Sequence, residues 1–145
     1  MFAHVHQLTV EWGDCDPAGI VFYPRFFAMF DAATAALIEA ALGRPRIEVI
    51  ADFRIVGWPM VETQATFHAP VTFDDQVEIH SRVADVGRSS FKIDHRLERD
   101  GTICARAFEV RVWTGGTAGG LTSRPLPGEV RAALLAMKPG SLGDG

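Results

Sequence analysis

Gly13-Asp14-Cys15-Asp16-Pro17-Ala18-Gly19-Ile20-Val21-Phe22-Tyr23-Pro24 is the stretch on which the reading of this chain turns. It follows an alternating segment, in which Phe2, His4, His6, Leu8, Val10 and Trp12 interleave with Ala3, Val5, Gln7, Thr9 and Glu11. That alternation predicts a strand over 2–12. It precedes a long apolar run, from about Phe22 to Leu42, whose polar interruptions include Arg25, Asp31, Thr34 and Glu39. This run predicts a helix that buries most of its faces, stopped by Gly43 at its C-terminus. Two carboxylates, a proline and a glycine therefore crowd into a turn over 13–21 that ends at a helix N-terminus. Such a turn can poise a carboxylate beside free backbone N–H groups, an arrangement suited to acyl chemistry.

Beyond the helix, residues 44–53 read as a connector with a short helical turn. After Pro59 the period changes to two. Val61, Thr63, Ala65 and Phe67 face one way, as do Val77, Ile79, Ser81 and Val83 in the next run, and Phe91, Ile93, His95 and Leu97 in the one after. Asp74-Asp75, Gly87-Arg88-Ser89 and Asp100-Gly101 mark the turns, and residues 102–113 form the last long strand. Turns this short predict an antiparallel meander. Gly115-Gly116 and Gly119-Gly120 read as a flexible loop, and Glu129–Met137 as an amphipathic helix ended by Pro139. The expected architecture is α+β, one long helix against one antiparallel sheet. The domain spans residues 1–139, with 140–145 as a mobile tail. A small sheet covers only part of an apolar helix, so a second copy across a two-fold axis is expected to cover the rest.

The chain has 145 residues, enough for one domain with its own core. Its formal charge of −4 and pI near 5.7 offer no basic face for nucleic acid. Cys15 and Cys104 make neither a disulfide framework nor a zinc site. The five histidines lack metal-ligand spacing. The N-terminus reads as strand and not as a secretion signal, and no apolar run is long enough to span a bilayer. The expectation is a cytoplasmic protein without metal or organic cofactor, binding neither nucleic acid nor membrane.

Each candidate residue has two readings. Asp16 is either a catalytic carboxylate, attacking an acyl carbonyl or activating water, or a residue that sets an Asx turn or caps the helix. Asp14 has the same two readings, with the shaping of the turn favoured over a catalytic role. Asp31, inside an apolar helix, needs a partner. It either pairs with an arginine or a backbone group at the subunit interface, or lines an acyl pocket and contacts a polar substituent such as an aromatic hydroxyl. Arg88, with Ser89 and Ser90, is either a phosphate site or an ordinary solvated turn. Trp58 and the phenylalanines Phe22, Phe26, Phe27 and Phe30 are pocket walls or core.

The 13–24 run, followed by Phe27 and Asp31, resembles the signature of the 4-hydroxybenzoyl-CoA thioesterase family of hotdog-fold proteins. The resemblance continues in order through Ile55-Val56-Gly57-Trp58-Pro59, Phe73-Asp74-Asp75 and Arg88-Ser89-Ser90-Phe91. It implies a hotdog fold, assembled as a dimer or dimer of dimers, that hydrolyses an acyl-CoA, with CoA entering as part of the substrate. By the same resemblance Asp16 is the catalytic carboxylate and the Tyr23 N–H polarises the thioester carbonyl. Gly19 allows close backbone approach, and Asp31 lies near the acyl group. The rival expectations are a thioesterase for short aliphatic acyl-CoA or acyl-carrier-protein substrates, and a non-catalytic acyl-CoA-binding module.

Overall fold

The computed structural model describes residues 3–139; the tail assigned to 140–145 lies outside the described residues. Strand β1 (His4–Thr9) leads through a 3-10 turn, Trp12–Asp14, into helix α1 (Tyr23–Leu42). Helix α2 (Arg46–Phe53) follows, then strands β2 (Met60–Phe67), β3 (Gln76–Val86), β4 (Ser90–Arg99) and β5 (Thr102–Val112). A hairpin, β6 (Thr114–Thr117) and β7 (Gly120–Ser123), precedes helix α3 (Gly128–Ala136). The five long strands form one antiparallel sheet in the order β1-β3-β4-β5-β2.

The expected long helix and antiparallel sheet are present, with four differences. Only β3-β4-β5 is a meander, because β2 crosses to the far edge and pairs with β5. The first strand ends at Thr9, since Asp14 turns the chain back by accepting the Glu11 N–H at 2.9 Å. Residues 46–53 form a full helix: the Glu39 carboxylate caps the Arg46 N–H at 2.9 Å, and Arg44 ties Asp52 to Glu129. The glycine-rich segment is a hairpin packed on the body. A side chain at Gly115 would strike Arg124, and one at Gly116 would strike the Gly120 carbonyl.

Helix α1 buries Phe26, Met29, Phe30, Ala33, Thr34, Leu37 and Ile38. It ends as expected at Gly43, whose φ of 67° is the left-handed conformation a helix stop requires. Two apolar clusters fill the space beneath it. One gathers Phe26, Met29, Phe30 and Ala33 with Val77, Ile79 and Leu97. The other gathers Leu37 and Ile38 with Trp58, Val83, Ile93, Trp113, Val130 and Leu134. Thr34 sits at the join. The opposite face of the helix, including Tyr23, Ala28, Asp31 and Ala32, is left open. No single helix among the described residues is long and apolar enough to cross a membrane.

Candidate active site

The 13–22 loop is closed by its own backbone. Cys15 and Val21 form an antiparallel bridge, the Asp16 N–H donates to Ile20 O at 2.9 Å, and the Gly19 N–H donates to Asp16 O at 2.9 Å. Gly19 turns the chain at φ 85°, a conformation costly for a residue with a Cβ. Two further bonds fix the loop to the rest of the fold. The Val21 N–H donates to Val71 O at 2.8 Å, and the Phe22 N–H donates to Asp14 O at 2.8 Å.

Within this frame Asp16 does two things. Its Oδ1 accepts the Ala18 N–H at 2.8 Å, which makes the Asx turn. Its other oxygen takes no hydrogen bond from any described residue. It does not cap the helix: Phe22 occupies that position, and no side chain among the described residues caps the start of α1. Tyr23 is the first helical residue and Pro24 the second, so the helix begins with one amide and then a residue that has none. The Tyr23 N–H has no acceptor among the described residues. The helix dipole gives this terminus a partial positive charge.

Two clefts adjoin the loop. One, of about 460 Å³, is lined by Trp12, Cys15, Asp16, Pro17, Gly19 and Phe73. Trp12 is 78% exposed and meets Phe73 edge to face at 5.6 Å. The other, of about 410 Å³ and mostly apolar, holds Tyr23, Phe26, Phe67 and Val71. Cys15 is only half-buried, its thiol 3.8 Å from Glu11 O.

Tyr23, Phe27 and Asp31 recur every four residues and so share one ridge of α1, about 12 Å long. Asp31 does pair with an arginine, but one of its own chain. Arg111 of β5 donates from Nη2 to Asp31 Oδ1 at 2.7 Å. The carboxylate is also not buried as expected, its side chain being 50% exposed. The same guanidinium donates from Nη1 to the Trp58 carbonyl at 3.4 Å. Arg111 thus joins Asp31 and Trp58. The Trp58 ring itself is core, stacked on Trp113 at 6.0 Å and covered by Arg46. Phe26 and Phe30 are core as well, Phe27 is half-buried and Phe22 exposed.

Arg111 was not singled out by sequence, nor was Glu109, whose Oε1 it grips from Nε at 3.1 Å and from Nη2 at 3.0 Å. The signal was present: Ala105, Ala107, Glu109 and Arg111 share one face of β5, with opposite charges two positions apart. Phe108, Val110 and Val112 make the other face equally apolar, so parity alone does not say which face is inward.

Arg88 and Ser89 lie in the β3–β4 turn and Ser90 opens β4. Their backbone is engaged: Leu126 N–H donates to Arg88 O at 2.9 Å, Trp113 N–H to Ser89 O at 2.7 Å, and Gly87 N–H to Ser90 O at 2.7 Å. No described residue pairs with the Arg88 guanidinium. The Asp16 loop is bridged to Thr72, just ahead of β3, and this turn follows the strand's other end. At about 3.3 Å per residue, one chain separates the two by roughly 30 Å. No three His, Cys, Asp or Glu side chains among the described residues are placed to hold a metal ion.

The fold and the loop together define a class, and the comparisons with known proteins agree on it. The chain belongs to the thioesterase-like superfamily, whose family profile matches residues 10–134. Within that class it is similar to the 4-hydroxybenzoyl-CoA thioesterase of Pseudomonas sp. strain CBS-3, 33% identical over 74% of this chain and 79% of that protein. A structure of that thioesterase superposes with a TM-score of 0.84 at 29% identity, covering 92% of this chain and 99% of the other. A gentisyl-coenzyme A thioesterase structure superposes at 0.80 with 34% identity, covering 90% and 99%. The hotdog fold expected from the sequence is the fold of these neighbours.

Proposed function

We propose that the protein hydrolyses the thioester of an acyl-CoA carrying a modest-sized aromatic group of the hydroxybenzoyl type, releasing the free acid and CoA. The relatives it matches are named as thioesterases or hydrolases of CoA thioesters. The observation that carries the reading is the pairing of two unsatisfied groups on one rigid loop and helix start: the open oxygen of Asp16 and the Tyr23 N–H. The relatives named for 4-hydroxybenzoyl-CoA and gentisyl-CoA, and a 1,4-dihydroxy-2-naphthoyl-CoA hydrolase of Synechococcus elongatus at 30% identity, favour an aromatic acyl group.

Two routes satisfy the same geometry. In one, Asp16 attacks the carbonyl carbon, the C–S bond breaks to give a mixed anhydride and CoA thiolate, and water then hydrolyses the anhydride and regenerates the carboxylate. In the other, Asp16 takes a proton from water, the resulting hydroxide attacks, and the proton passes to the departing thiolate. Both develop negative charge on the carbonyl oxygen, where the Tyr23 N–H would donate. One such donor contributes about 3–4 kcal/mol. Gly19 gives the substrate backbone room. Neither route calls for a cofactor.

The ridge of Tyr23, Phe27 and Asp31, with Trp58 held behind it, would contact the acyl group. Arg88, Ser89 and Ser90, far from Asp16 in the same chain, would reach CoA bound to a second copy. A homodimer or homotetramer is supported by the open face of α1 and by edge strand β2. That strand exposes Val61 and Phe67 beside an unpaired row of backbone groups. The compartment proposed is the cytoplasm, where free CoA thiols persist.

The test is thiol release from benzoyl-, hydroxybenzoyl-, acetyl- and hexanoyl-CoA by the wild type and Asp16→Asn. Turnover of the aromatic esters should fall by roughly 100-fold or more in the variant, the range for a lost acid–base or nucleophilic group. Wild-type turnover of none of these esters would refute the CoA assignment; near-wild-type turnover by Asp16→Asn would refute the role of Asp16.

A further inference from the structure

Two further polar systems lie one on each side of the sheet. The inner one, beneath the middle of α1, is buried and closed. Thr34 has a single proton and donates it to Glu109 Oε1, so its oxygen accepts from His95 Nε2 at 3.0 Å. In the neutral ring, Nδ1 accepts from the Ser81 hydroxyl at 2.7 Å, and Arg111 holds Glu109 from the other end. All five residues are buried. The outer system is open. Ile93, His95 and Leu97 of β4 and Ala105 and Glu109 of β5 turn inward, so Asp94, Arg96, Arg106 and Phe108 stand on the face directed away from α1.

Register sets the outer side chains in two rows across the strands. One row runs His80, Arg96, Arg106, Thr66; the next runs Arg82, Asp94, Phe108, Gln64. The second row is balanced, because Arg82 donates from Nη2 to Asp94 Oδ2 at 3.3 Å. The first is not. Arg96 stands directly opposite Arg106, and like charges so placed weaken a sheet. Arg96 has a counter-charge on its own strand, its Nε 2.9 Å from Glu98. The Arg106 guanidinium has no hydrogen bond or ion pair among the described residues, and neither do the Thr66 hydroxyl and the Gln64 amide near it. These three groups line one cavity of about 350 Å³, which Arg82, Asp94 and Phe108 complete. Arg82 and Arg106, two strands and two residues apart, are separated by about 12 Å at the backbone, so their long side chains can close on one small ligand. Phe108 adds an apolar wall, and Lys92 lies over the same ring at 4.4 Å.

We propose that this cavity is a second ligand site, for a small aromatic carboxylate, with Arg106 as its anchor. A carboxylate takes a planar guanidinium through two parallel hydrogen bonds, while Thr66 and Gln64 supply further donors and an aromatic ring packs on Phe108. A cation that weakens the empty sheet is offset once an anion binds, which accounts for an arginine placed against Arg96 without a partner. Such an acid is the class of product the proposed hydrolysis releases, and only that link rests on the thioesterase reading. Helix α1 lies on the opposite side of the sheet, so an acid held here leaves the ridge of Tyr23, Phe27 and Asp31 uncovered.

The experiment titrates 15N-labelled wild type and Arg106→Gln with benzoate, 4-hydroxybenzoate, acetate and inorganic phosphate, following amide shifts residue by residue. Benzoate and 4-hydroxybenzoate should move Thr66, Arg106 and Phe108 in the wild type. Acetate and phosphate, which bring no ring to Phe108, should bind there more weakly. Arg106→Gln should raise the Kd for benzoate read at Thr66 and Phe108 by roughly 10-fold or more, the worth of a hydrogen bond to a charged group. Shifts over Asp16–Tyr23, which report the other site, should be the same in both proteins. Without ligand, the variant's urea midpoint should equal or exceed that of wild type, because an exposed like-charge contact is removed. Absence of shifts at Thr66 and Phe108 in the wild type, or an unchanged Kd there in Arg106→Gln, overturns the proposal. So does acetate or phosphate binding as tightly as benzoate, the mark of a general anion patch, or a lower midpoint in the variant, the mark of an arginine already partnered. The titration needs no turnover: failure of wild type to release thiol from any acyl-CoA would refute the hydrolysis reading and leave this site to be decided by the shifts.

Discussion

The loop around Asp16 and the polar cluster beneath the middle of α1 use similar side chains and treat them in opposite ways. At the loop, one carboxylate oxygen and one backbone amide have no partner among the described residues, near solvent. In the cluster, buried side chains from four elements are linked into a single chain. The one polar atom there without a hydrogen bond, Glu109 Oε2, still lies 3.5 Å from His95 Nε2. The contrast follows from desolvation. A free acceptor at the rim keeps water until substrate displaces it, whereas a free acceptor in the core costs about 1–3 kcal/mol, and more when charged. Reactivity needs spare hydrogen-bonding capacity, so it sits where spare capacity is cheap.

The sharpest break of this contrast is the pair Asp16→Asn and Glu109→Gln. The first keeps an oxygen for the Ala18 N–H, so turnover should fall roughly 100-fold or more while the urea midpoint stays in place. The second removes the buried counter-charge of Arg111, leaving it only the half-exposed Asp31, and should cost up to about 3 kcal/mol, read as a clear drop in urea midpoint. Equal stability losses in the two variants would erase the distinction. Thr34→Val comes next. Removing the hydroxyl strips a donor from Glu109 and an acceptor from His95, so chemical denaturation should show a loss of about 1–3 kcal/mol.

Gly19→Ala should cost about 1–2 kcal/mol. A Cβ there meets nothing within 4 Å, so the penalty is the positive φ alone. A variant as stable as wild type would show that the loop relaxes, contrary to the rigidity argued for it. The smallest effect concerns His4, half-buried on β1, whose pKa burial and the neighbouring His6 push below its usual 6.5. The folded state favours the neutral ring. Its contribution to stability is complete above 6.5 and is lost as the pH falls below that value. His4→Gln should therefore weaken the acid-side fall in the urea midpoint and leave the neutral-side midpoint nearly unchanged.

The two regions also differ in how far they could be read from sequence. Asp14, Asp16, Gly19 and Gly43 act within a few residues of themselves, through turn and helix-end chemistry that residue type reveals. The helix over 23–42 was legible as a long apolar run stopped by Gly43, strands β3 and β4 from their period of two, and β5 from the Asp100-Gly101 turn before it. Helix α2 was hidden because its cap comes from Glu39, back in α1. The crossing of β2 to β5 was hidden because short turns on either side of it suggested a meander. The hairpin β6–β7 was hidden because two of its glycines, Gly115 and Gly116, which suggest flexibility, are demanded by Arg124 and Gly120 packing against them. Arg111 and Glu109 escaped because their meaning depends on Thr34, His95 and Asp31, residues between 14 and 80 positions away.

Asp16 closes its turn with one oxygen and leaves the other open, and this has a genetic consequence. Asparagine inherits the ring-closing task in full and the reactive task not at all, and a single-base change in an aspartate codon produces it. Loss of turnover at this position therefore lies one mutational step from the present chain and passes through no unfolded intermediate. Selection on stability would not see that step; only selection on chemistry would.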